Sequence, residues 1–193
     1  ELGGLASGTE AYYSFDYANA HFVVLDSHQS SRNPGDAMLS WLEADLASTE
    51  QEWLVAFWHH PPYTKGSHDS DLETRHIEMR ENALPILESK GVDIVFGGHS
   101  HIYERTYLLN GAYQTPSTVN GIVDKGDGNP VSGGAYKKKE GLQSNGGAVY
   151  VVAGHGGGAI GTGRVHPLMA ASELENGSVV VDVHENRLSI RNI

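Results

Sequence analysis

Two groups of histidines, His59-His60 and His99-Ser100-His101, each stand directly after an apolar run. The run Val92-Asp93-Ile94-Val95-Phe96 reads as a buried strand ending in Gly97-Gly98, and Trp53-Leu54-Val55-Ala56-Phe57-Trp58 reads as another that breaks at the histidines and then at Pro61-Pro62. Neutral imidazole is the commonest protein metal ligand. A His-x-His pair leaving a strand serves one ion, or two adjacent ions where the turn splays the rings. Gly97 and Gly98 would let the backbone crowd such a site. Isolated His-x-His pairs are common, so the second group carries the argument. Parallel strands of an α/β sheet end on one side, where sites are built from their loops, and His59, His99 and His101 are therefore expected to converge.

Gly98-His99-Ser100-His101, with Tyr103-Glu104-Arg105 behind it, resembles the last metal-binding motif of the purple acid phosphatases and their bacterial relatives among the calcineurin-like metallophosphoesterases. His59, followed by Pro61 and Tyr63, resembles the motif before it. The resemblance runs from Tyr12-Tyr13-Ser14-Phe15-Asp16-Tyr17 to the end of the chain. It implies that His59 and His99 hold one ion with an asparagine, while His101 holds another with aspartates and a tyrosine. Two such ions clamp a phosphoryl oxygen and activate water for in-line attack. The cofactors implied are two divalent or trivalent ions (Fe, Zn or Mn) in the full domain, with one or none in this chain. The implied reaction is hydrolysis of a small phosphoester, a monoester first. A phosphodiesterase or nucleotide hydrolase on the same core, and a non-catalytic metal-binding fragment, remain as alternatives.

His68 lies nine residues beyond His59, where the family carries a histidine near the substrate. The resemblance makes it a proton donor to the leaving group or a phosphate ligand, whereas its polar loop setting alone reads as a mobile surface histidine. The family's three earlier motifs supply the aspartates, tyrosine, asparagine and a further histidine, yet no Gly-Asn-His or Gly-Asp-x-x-Tyr run precedes His59. Residues 1–193 are thus expected to be the C-terminal portion of one catalytic domain, the C-terminal half of a four-layer α/β/β/α sandwich. Apolar surface left by the other half would then be open to association. An extracytoplasmic location follows from the resemblance alone.

The 193 residues, 39% hydrophobic and 19% charged, suit one ordinary globular core. A net charge of −11 argues against nonspecific binding to nucleic acid or anionic membrane. The absence of cysteine removes disulfides, thiolate chemistry and Cys-ligated zinc. No apolar run approaches the roughly 20 residues that span a bilayer.

The elements that must place the histidines follow in order. Residues 1 to 10 read as loop, and Tyr12 to Tyr17 with His21 to Leu25 as a hairpin, with His21 on a strand face. Asp26 and His28 read as turn capping and solvent exposure. Asp36 is an N-cap for a helix over Ala37 to Ala47 whose Met38, Leu39, Leu42 and Leu46 fall at helical spacing, with Trp41 on its packing face. A second helix is expected over Leu72 to Ser89, with His76 solvated. Ile102 to Leu109 reads as strand, and Gly111 to Gly147 as a long excursion near the site mouth whose Lys137-Lys138-Lys139 is a solvated basic face. Ala148 to Ala153 is a strand ending in Gly154-His155-Gly156-Gly157-Gly158, which lacks the Lys-Ser/Thr ending of a phosphate-cradling loop, though His155 has the placing of a ligand. Ser178 to Val183 and Arg187 to Ile190 close the chain as a hairpin around Glu185-Asn186.

Overall fold

The computed structural model describes residues 3–117 and 120–193. Its frame is a seven-stranded mixed sheet. An antiparallel hairpin, β1 (Tyr13–Tyr17) and β2 (Ala20–Val24), turns through Ala18 at φ 52. From β2 the order continues through β3 (Trp53–Phe57), β4 (Ile94–Gly97), β8 (Val149–Ala153), β5 (Tyr103–Thr106) and β9 (Met169–Glu173). Strands β2, β3, β4 and β8 run parallel, β5 returns antiparallel to β8, and β9, antiparallel to β5, runs again in the direction of the parallel set. Outside this sheet, β6 (Leu108–Leu109) pairs with β7 (Ile122–Asp124), and β10 (Val179–His184) with β11 (Arg187–Asn192).

Side-chain alternation divides the sheet into two faces. Val23, Leu54, Ala56, Val95 and Tyr150 point to the helices, where Met38, Leu39, Leu42 and Leu46 of α1 (Ala37–Ser48) and Leu84 and Leu87 of α3 (Leu84–Ser89) complete the main core. Trp41 belongs to this face, its Nε1–H donating to Leu5 O at 2.9 Å. Asp36 precedes α1, but its carboxylate accepts from Ser31 and Asn33 rather than from a helix N–H. The expected helix over 72–89 is α2 (Thr74–Glu78), a π-helical turn (Met79–Ala83) and α3 in succession.

On the opposite face Val55, Ile94, Phe96, Val149 and Val151 gather under Val179, Leu188 and Ile190 of the closing hairpin. Beyond it a ladder of stacked rings crosses four strands: Phe15 on Phe22 (centroids 5.0 Å apart), Phe22 on Phe57 (6.2 Å) and Phe57 on Phe96 (5.4 Å). Among the described residues the fold is therefore one helix layer, one large sheet, the closing hairpin and the small β6–β7 pair. The second large sheet of a four-layer sandwich is not among them. Among the described residues no helix is long and apolar enough to cross a membrane.

Two expectations change. The segment from 111 to 147, of which 118 and 119 lie outside the described residues, does not stay at the site mouth. Its far part crosses to the amino end of β4, where Lys138 Nζ meets Asp93 Oδ1 at 2.6 Å and the carbonyl of Val92 at 3.0 Å. Lys138 is accordingly an anchor rather than part of a solvated basic face, because Asp93 is buried beneath it and needs a counter-charge.

Glu104 on β5 is wholly buried. It accepts from Thr64 Oγ1, while its other oxygen has no partner. Burial outweighs the Thr64 and Lys65 hydrogen bonds and raises its pKa to about 7. The folded state then holds a proton that the unfolded chain releases in the ordinary carboxylate range, so stability falls as pH rises from that range through about 7. Glu104→Gln removes this dependence. Urea unfolding should show the variant gaining on wild type by about 3 kcal/mol between pH 4.5 and pH 8, and a constant difference across that range would refute the assignment.

Candidate metal centre

The parallel register decides where the histidines appear. Phe57 on β3 pairs with both Val24 on β2 and Phe96 on β4, and Gly97 pairs with Val152 on β8. The segments Asp26-Ser27-His28, His59-His60, Gly98-His99 and Gly154-His155 therefore leave the sheet along one edge. Close approach is needed there: a Cβ on Gly97 would stand 3.0 Å from that of Pro61. His99 sits at φ 58, a left-handed conformation that a non-glycine residue adopts at a cost and that is concentrated at functional sites.

At this edge His59 Nε2 lies 3.0 Å from His99 Nδ1, with the rings nearly perpendicular. The structure thus brings together the two histidines singled out for one ion. His101 stands apart from them. Its Nδ1–H donates to Ala159 O at 3.1 Å under a strand-exit loop so close that a Cβ on Gly158 would lie 2.5 Å from that nitrogen. Among the described residues it joins no group of three metal-competent side chains.

His68 is half-buried. Its Nδ1 lies 3.0 Å from Glu73 Oε1, and its ring lies 3.8 Å from that of His99. The loop carrying it is stitched down from several sides. Ser67 N donates to Ser100 Oγ at 3.0 Å, and His101 N donates to Ser67 Oγ at 3.0 Å. The fully buried Arg80 donates to the carbonyls of Pro62 (2.8 Å) and Ser70 (2.7 Å) and pairs with Asp71 at 3.1 Å. Glu104 holds Thr64 beneath the same loop.

Two more histidines enter the site that sequence reasoning had not placed there. His60 is buried behind His59, its Nδ1 2.8 Å from Ser27 Oγ and its ring 4.5 Å from that of His99. His76, expected to be solvated, is buried. Its Nδ1–H donates to Pro61 O at 2.6 Å and its ring lies 5.4 Å from that of His99. A signal for it existed in the spacing, since His76 lies three, seven and eleven residues before Met79, Ala83 and Leu87, on the buried stripe of its own helix.

Crowding fixes the charge state. Burial first, then the neighbouring histidines, lower His60 to about 3 and His99 to about 4, and push His59 and His76 below the ordinary histidine range. Neutral rings are the ligating form. Two groups bring three or more ligand atoms within 4.8 Å of one another and could hold an ion: His59, His60 and His99, and His68, Glu73, His76 and His99.

The remaining histidines play other parts. His28 is exposed over His60, and Asp26 caps its turn by accepting from the N–H groups of His28, Gln29 and Ser30, as expected. His21 is buried between Asp16 (2.6 Å) and Asp45 (2.8 Å), two carboxylates that raise its pKa against the effect of burial. His155 turns away from the cluster to Asn192 at 2.7 Å. The glycines around it lead into irregular backbone and no helix follows them.

Purple acid phosphatase 18 of Arabidopsis thaliana is 36% identical over 140 residues, covering 69% of this chain and 30% of the relative. The probable purple acid phosphatase 20 of the same plant is 32% identical over 140 residues, covering 69% and 31%. The chain spans about a third of the length of these relatives. Among solved structures, purple acid phosphatase PPD1 from yellow lupin (Lupinus luteus) seeds superposes with a TM-score of 0.73 at 22% identity, over 94% of this chain and 30% of that one. GAP50, the anchor in the inner membrane complex of Plasmodium, superposes at 0.56 and 14% identity, over 94% and 48%. Both share the mixed α/β fold. The family model for calcineurin-like phosphoesterases matches residues 2–103, from the first hairpin through both histidine groups, and the chain belongs to that family.

Proposed function

We propose that this chain contributes the histidine half of a metal-dependent phosphoester hydrolase, with phosphomonoesters as substrates. The observation that carries the reading is the His59 Nε2 to His99 Nδ1 separation of 3.0 Å at the ends of adjacent parallel strands, between rings held neutral. The donor set fits one ion at this pair. His101, whose Nδ1–H is committed to Ala159 O, would offer Nε2 to a second. Ions bound at such a centre polarise a phosphoryl oxygen and make water nucleophilic near neutral pH. The bridging carboxylates would come from motifs of the kind found in the longer relatives, on a sheet laid against the ladder of Phe15, Phe22, Phe57 and Phe96. Residues 1–193 are, in this reading, one portion of a single catalytic domain.

This chain's own residues then orient and protonate. His68 sits against His99 and is aimed by Glu73, placing an imidazole beside the reacting phosphate, where it donates a proton to the departing alkoxide. Arg80, Glu104 and the Ser67–Ser100 contact hold that imidazole in place, so little ordering remains when substrate arrives.

In a protein joining this chain to such carboxylate motifs and loaded with Mn²⁺, Fe or Zn²⁺, p-nitrophenyl phosphate should be hydrolysed at least about tenfold faster than bis-p-nitrophenyl phosphate, and His59→Ala should lower kcat/KM by about a hundredfold or more. A faster diester, or an unaffected His59→Ala variant, would overturn the reading. General acid assistance typically contributes about 10²–10⁴-fold and matters most for poor leaving groups. His68→Ala should therefore slow an alkyl phosphate at least about tenfold more than an aryl phosphate with a good leaving group. Equal slowing of both would make His68 a phosphate-positioning residue instead.

A further inference from the structure

We infer that His68, Glu73, His76 and His99 form a second cation site, suited to a transition ion of the Zn²⁺ type, which competes with the His59–His99 pair for His99. The pivotal group is His76. It is 0% exposed, its Nδ1–H is committed to Pro61 O at 2.6 Å, and its Nε2 is buried with no hydrogen-bond partner. Buried polar atoms without partners are uncommon and ask for an explanation. Fixing one ring N–H on a backbone carbonyl leaves the other nitrogen as a bare lone pair, which is how metal-binding histidines are usually oriented.

That lone pair faces suitable company. Glu73 Oε2 lies 3.6 Å from His76 Nε2 and 3.7 Å from His99 Nε2, and Glu73 Oε1 lies 3.0 Å from His68 Nδ1. Ligand atoms around one tetrahedral zinc stand roughly 3.3–3.5 Å apart. One ligand atom from each of the four residues falls within 4.8 Å of the others, so small side-chain rotations close the shell. Three imidazoles and one carboxylate favour Zn²⁺ over the oxygen-seeking Mg²⁺ and Ca²⁺.

The site has a regulatory consequence. A neutral imidazole carries one lone pair, and His99 shows Nδ1 to His59 and Nε2 to Glu73. An ion held through Nε2 takes His99 from the pair and ties down His68 as well. The second site, when filled, switches the first one off. Its existence does not depend on any hydrolytic activity.

Calorimetric titration of the chain with Zn²⁺ alone tests this, with circular dichroism to confirm folding of each variant. Wild type should bind one ion per chain. Glu73→Gln and His76→Gln should each weaken binding at least about tenfold, while His59→Ala should stay within about threefold of wild type. Full loss in His59→Ala with wild-type binding in Glu73→Gln and His76→Gln would overturn the proposal, because the ion would then sit only at the pair. If His76→Gln fails to fold, the partly exposed Glu73 decides: unchanged affinity in Glu73→Gln refutes the site. The readout is binding rather than turnover, so a failure of the hydrolytic reading leaves it interpretable.

Discussion

A neutral imidazole has one N–H and one lone pair, and a cluster of such rings is useful only if each N–H is spent outward. Six of the eleven histidines of this chain form one connected group of rings: His28, His59, His60, His68, His76 and His99. Backbone carbonyls do much of the sorting. Pro61 O takes the Nδ1–H of His76 and, at the neighbouring His101, Ala159 O does the same. Those carbonyls stand where they do because Pro61-Pro62 forces the chain out of β3, and because the glycine-rich exit from β8 folds back over His101. Tautomers at the site thus depend on turn chemistry several residues away.

The same economy holds the loop between His59 and Glu73. A polar loop of this kind would ordinarily be mobile. Here Arg80 supplies a buried guanidinium whose donors are met by two loop carbonyls, Asp71, Thr115 and Tyr113 O. Leaving such a charge unpaired would be strongly unfavourable, so loop and helix are ordered together. Arg80 lies within the π-helical turn, a deviation from α geometry that is often found near functional sites.

Much of the frame was legible in the sequence. The first hairpin, the helix from Ala37, the strands delivering His59 and His99, and the closing hairpin follow from periodicity and turn residues, because each buries one face against one partner. Convergence of His59 with His99 followed from parallel strands ending on one side. Other features depend on tertiary context that no local pattern carries. Lys138 seemed solvated because a short basic run usually is, whereas its partner Asp93 lies 45 positions earlier in the chain. His76 was assigned by residue type to solvent although its spacing placed it on the buried stripe. The stripe also holds Arg80 and Glu88, so polarity was a poor guide to exposure on this helix. His60 is obscured by its neighbour, since successive residues leaving a strand face opposite ways and the pattern alone points to one ligand there.

The balance of charge orders the events at this edge. The chain carries −11 overall, yet at four histidines of this edge, His59, His60, His76 and His99, burial and neighbouring charge lower the proton affinity and favour the neutral form. Such an edge offers a phosphate dianion little attraction, and the surrounding field repels it. It offers a metal cation lone pairs already stripped of protons, inside a field that draws positive charge in. On the proposed reading cations therefore bind first, and the anion afterwards, to the charge they supply. Had the rings been protonated, the cluster could have attracted phosphate directly and held no ion at all. The low proton affinity that crowding imposes is what suits this edge to metals in the proposed reading.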